Sequence, residues 1–81
     1  MPIKKLIQVK ELLKKQQAIL KNKDTTPQER EQISKDLIKT LAEFIDFIKQ
    51  NPSIVHEYPD LINEIQRLAT ENKSILERIS K

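Results

Sequence analysis

Glycine is absent from this 81-residue chain, and no other feature narrows its possible folds as sharply. Type I′ hairpins, phosphate-cradling loops and Schellman helix ends all rely on a residue that tolerates positive φ. Lys, Glu, Gln, Leu and Ile dominate instead, and a chain of such residues reads as helix almost throughout. It holds no P-loop, no dinucleotide fingerprint and no glycine elbow around a nucleophilic serine.

A chain this short forms one domain at most, and it buries only about 60–65% of the surface its unfolded form exposes. Small domains usually supplement the core with disulfides, metals or partner subunits. Cysteine is absent, which removes disulfides and thiolate metal sites and leaves efficient helix packing or self-association. Apolar runs reach only two or three residues, so no membrane-spanning segment or signal peptide is expected. Pro2 stands where myristoylation needs glycine, and no C-terminal cysteine offers a prenylation site. A cytoplasmic location is the expectation, with no cofactor and no small-molecule substrate.

Hydrophobic spacing divides the chain into three helices, at about residues 3–22, 27–50 and 59–80. In the first, Leu6, Val9, Leu13 and Leu20 form a stripe, widened by Ile3, Leu12 and Ile19, with Gln16 in the remaining slot. Thr26-Pro27-Gln28-Glu29 then supplies an N-cap, a proline at N1 and the glutamate of a capping box. The second helix carries Ile33, Leu37, Leu41, Phe44 and Ile48, flanked by Ile38, Ile45 and Phe47, and ends before Asn51-Pro52. A helical turn after Pro52 is expected, with Ile54, Val55 and Tyr58 closing the end of the bundle. Pro59 and Asp60 open the third helix, whose seam is Leu61, Ile65, Leu68, Ile75 and Ile79, with Asn72 at an inward slot. The expected fold is all-α, a three-helix antiparallel up-down-up bundle. The competing arrangement is a helical hairpin with a splayed third helix, completed by oligomerisation.

Nothing in the chain assembles the groups that catalysis needs, so an enzyme is not expected. His56 is the only histidine, and its place in a connector suits a hydrogen-bonded or solvated ring. Glu43 and Asp46 share a face, as a metal pair would, but it is the face opposite Leu37 and Leu41. Glu57 and Asp60 flank Pro59, where the start of a helix accounts for them.

Charge is distributed unevenly. Residues 1–23 hold seven lysines against Glu11 alone, a surplus of +6, whereas the remainder sets eight basic against eleven acidic residues, −3. The basic face comprises Lys4, Lys5, Lys10, Lys14, Lys15 and Lys21. Its lysines can pair with acids on the other helices or simply solvate the outer face. They can instead meet an acidic protein, or an anionic nucleic acid or membrane. The last is the weakest reading, because the first helix lacks arginine for bidentate contacts and aromatic residues for stacking or insertion.

Gln16 and Asn72 would be costly in a dry core. They are expected either at a bundle edge in reach of water or in an interface with another chain, where a seam asparagine fixes register. The second helix is apolar over more than half its circumference, which suits either the centre of the bundle or a stripe that recruits a partner helix.

Leu61 to Ile79, with Ile65-Gln66-Arg67-Leu68-Ala69, Asn72 and Ile75-Leu76, resembles the ends of flagellar and other type III export chaperones. The similarity spans about a quarter of the chain and is shared by many coiled coils. It implies a small helical protein that shields an amphipathic partner. The function expected is therefore that of a helical interaction module, an adaptor or chaperone, or a self-associating homodimer. Its candidate contact residues are Ile38, Ile45, Phe47, Ile75, Leu76 and Ile79. An electrostatic binder acting through the lysine-rich first helix is the alternative.

Overall fold

The computed structural model describes residues 2–79, and the side chains of 3–78. Four helices pack together into a bundle: α1 (Pro2–Lys21), α2 (Pro27–Gln50), the single turn α3 (Ile54–Glu57) and α4 (Pro59–Ile79). The three long helices match the expected spans to within one residue over the described chain, and α3 is the turn expected after Pro52. No strand occurs among the described residues.

The helix ends show how a chain without glycine turns corners. No described residue has positive φ, so free carbonyls are satisfied by side chains and by the N–H groups of cap residues at negative φ. The Thr25 hydroxyl donates to the carbonyl of Ile19 near the end of α1. Asn51, at φ −134°, donates its backbone N–H to the carbonyls of Phe47 and Ile48 and its side-chain amide to Phe47 O at 3.1 Å. At the start of α2 the capping box is complete: Thr26 Oγ1 accepts from Glu29 N at 3.2 Å, and the Glu29 carboxylate accepts from Thr26 N at 3.5 Å.

Leu6, Val9 and Leu13 of α1 meet Leu37 and Phe44 of α2 and Ile62, Ile65, Leu68 and Ala69 of α4, with Ile54 closing one end. The α1–α4 pairing is the most extensive, α2 rests more on α1 than on α4, and α3 lies against α4. Cross-helix pairs fix the alignment: Lys5 with Glu43, Gln16 with Thr40, Lys10 with Glu64, and Asn72 with the Leu13 carbonyl.

Several side chains depart from the expected pattern. Leu12 (46% exposed) and Ile19 (38%) do not widen the buried stripe of α1. They lie seven residues apart on one side of the helix, roughly 100° from Leu6 and Leu13, and the inward arc is already filled. In α4, Ile62 and Ala69 are buried while Leu61 and Ile75 are only half-buried. A seven-residue seam drifts by roughly 20° per heptad on a straight helix, so neighbouring positions take over. In α3 only Ile54 is fully inward, Tyr58 is half-buried and Val55 is exposed, because one turn has room for one anchor.

Gln16 and Asn72 do not sit at an exposed bundle edge. Both are buried between this chain's own helices. Asn72 Nδ2 donates to Leu13 O at 2.9 Å, and Gln16 Nε2 lies 3.5 Å from Thr40 Oγ1. Thr40 in turn donates to the Asp36 carbonyl one turn earlier, at 2.7 Å. Each inward amide is thereby half-satisfied, while Gln16 Oε1 and Asn72 Oδ1 have no hydrogen-bond partner among the described residues.

Candidate functional site

The side chains of α2 form two stripes, not one. Ile33, Leu37, Thr40, Phe44 and Phe47, at steps of four and three residues, face the bundle: the first four are buried and Phe47 is packed against the core. One residue further on, Ser34, Ile38, Leu41, Ile45 and Ile48 repeat the same steps roughly 100° round the helix. This second stripe has no full cover. Ile38 is 68% and Ile45 52% exposed, and Ser34, Leu41 and Ile48 are half-buried.

A groove of about 890 Å³ opens between α2 and the C-terminal half of α4. Ser34, Leu37, Ile38 and Leu41 line it from α2, and Lys73, Ser74, Leu76, Glu77 and Arg78 from α4. The floor is aliphatic, and the charges of Lys73, Glu77 and Arg78 stand on one wall. Such a surface can bury an apolar ridge and fix its polar edges. A smaller groove of about 330 Å³ separates α1 from α2, with Leu12 and Ile19 opposite Ile33 and Thr40 and a rim of Lys15, Asp36, Lys39 and Glu43.

The expected contact residues do not all come together. Ile38 and Leu76 line the α2–α4 groove, and Ile45 extends its stripe toward the far end of α2. Phe47 sits roughly 200° round the helix from Ile45, half-buried against the core, and does not join them. Ile75 is half-buried outside the groove lining, and the side chain of Ile79 lies outside the described residues. Ser34, Lys73 and Arg78 belong to the groove with no signal in the sequence, and Leu41, expected in the core stripe, is half-buried in the groove lining. The signal for Leu41 was present in the four-three spacing of the second stripe.

The basic face is likewise divided. Lys5 meets Glu43 at 3.8 Å and Lys10 meets Glu64 at 3.3 Å, so both are engaged within the chain. Lys4, Lys14, Lys15 and Lys21 are exposed and join no ion pair among the described residues. His56 is exposed on α3. Among the described residues no group of three or more His, Cys, Asp or Glu is placed to hold a metal, and no helix is long and apolar enough to cross a membrane.

No protein family, curated protein or solved structure matches the chain, so the likeness of Leu61 to Ile79 to export-chaperone ends stands on those residues alone.

Proposed function

We propose that the chain is a non-enzymatic interaction module that receives an amphipathic helix in the α2–α4 groove and along Ile38 and Ile45. The observation that carries this reading is the exposure of Ile38 and Ile45 on a stripe with regular heptad steps. A chance surface isoleucine needs no explanation, but an ordered row beside an aliphatic groove fits the anchor spacing by which helices dock. Full burial of an isoleucine is worth about 1.5–3 kcal/mol, so a ridge seated on this row gains a useful share of a binding energy. The role is that of an adaptor or small chaperone, and a chain without cysteine suits a reducing, cytoplasmic setting.

In this reading the three long helices run up, down and up. The pairs Lys10–Glu64 and Leu13–Asn72 ascend together along α1 and α4, whereas Lys5–Glu43 and Gln16–Thr40 run in opposite senses along α1 and α2. The α2–α4 groove then lies between antiparallel neighbours, and a further helix seated there would make a four-helix arrangement.

The test is a titration of the full chain against a labelled amphipathic peptide with leucine heptads, followed by fluorescence anisotropy. Binding that Ile38→Lys weakens at least tenfold, and that Ile7→Lys on α1 leaves unchanged, is the expected result. Equal binding by both variants, or none by the parent chain at concentrations where it is monomeric, overturns the reading.

A second reading is carried by Lys4, Lys14, Lys15 and Lys21, which are exposed on α1 and join no ion pair among the described residues. These lysines could hold nucleic acid or an anionic membrane as point charges. Retention on DNA or anionic vesicles that disappears between low and physiological salt supports it. Absence of retention at low salt removes it.

A further inference from the structure

We propose that the occupant of the α2 surface is a second copy of this chain, paired α2 to α2 in antiparallel fashion about a two-fold axis near Leu41. The inference rests on the docking role proposed above and names its partner. The surface of α2 is self-complementary. With Leu41 on the axis, positions equally far from it on opposite sides face one another. Ser34 then lies level with the partner's Ile48, and Ile38 falls within one residue, about 1.5 Å of rise, of the partner's Ile45. The two exposed isoleucines cover each other, and the pair occurs twice because the contact is isologous.

Charge selects the same arrangement. Glu31 and Lys49 are eighteen residues, five full turns, apart and point the same way from α2. Lys35 and Asp46 stand beside them, about 20° from each other, on the flank of the stripe that faces away from α4. All four are exposed. Glu31 and Lys35 make only a loose contact of 3.8 Å, and Asp46 and Lys49 join no ion pair among the described residues. Along α2 the order is acid, base, acid, base. An antiparallel partner therefore sets Glu31 near the partner's Lys49 and Lys35 near the partner's Asp46, at both ends. A parallel partner would set like against like throughout. Ala42 lies at the centre of this flank, where a small side chain lets two helices approach.

The experiment is the mass of the full chain by light scattering on a size-exclusion column, over a range of concentrations at low salt. A dimer that dissociates on dilution is expected, and Ile38→Lys is expected to stay monomeric with unchanged helicity by circular dichroism. Glu31→Lys should raise the dimer dissociation constant about tenfold, since it turns attraction into repulsion at two exposed sites. Adding Lys49→Glu to that variant should restore the original constant, which no loss of folding would mimic. A chain monomeric at every concentration, or a double variant no tighter than Glu31→Lys alone, overturns the pairing. A monomer that still binds the leucine-heptad peptide through Ile38 overturns the pairing and leaves the docking role standing. A monomer that ignores the peptide overturns both.

Discussion

Asn72 is completely buried, yet only its Nδ2 is bonded, to the carbonyl of Leu13. A buried acceptor left without a donor costs about 1–3 kcal/mol, more than the roughly 1 kcal/mol that one amide hydrogen bond returns. Asn72→Leu, which keeps the branched heavy-atom shape, removes that imbalance and should stabilise the fold by about 1 kcal/mol, read as a higher urea midpoint. A lower midpoint would mean that the bond to Leu13 outweighs the orphaned oxygen. The inward slots of Gln16 and Asn72 were legible in the sequence because heptad spacing is local. Their surroundings were not. The partners of these amides come from Thr40 and Leu13, 24 and 59 residues away, and no local pattern encodes such a meeting.

For whole elements, the ends of helices are easier to read than their faces. The Thr26–Glu29 capping box and the stop at Asn51-Pro52 involve neighbours in sequence, and both stand where the residues place them. Which apolar residues of α2 turn inward depends on where α1 and α4 settle. Phe47, Ile38 and Ile45 all border the same wide apolar arc, but only Phe47 is packed against the core. Phe47→Asp should therefore cost about 2–3 kcal/mol of stability, through lost packing and a carboxylate pressed against apolar surface. Ile38→Asp should change the stability of the dilute, monomeric chain by no more than about 0.5 kcal/mol. Thermal melts of the two variants check the contrast, and equal melting temperatures would contradict the assignment of two distinct stripes.

Across the whole molecule, the charge imbalance between the first 23 residues and the rest is partly resolved inside the fold. Lys5–Glu43 ties α1 to α2 and Lys10–Glu64 ties it to α4. Partly exposed pairs of this kind contribute little energy, about 0–1 kcal/mol each, so alignment is their larger contribution. The sequence revealed the surplus but not its division, because which lysines find an acid depends on the packing of three helices. The same packing leaves α2 short of a neighbour on one side, and the central claim is that this side is a contact surface. The direct test is the methyl NMR spectrum of the full chain recorded across a wide concentration range. The methyl signals of Ile38, Leu41 and Ile45 should shift together with concentration, while those of Ile7 and Val55, exposed elsewhere on the surface, stay fixed. Stationary signals from the α2 stripe, or shifts shared equally by Ile7 and Val55, would contradict it.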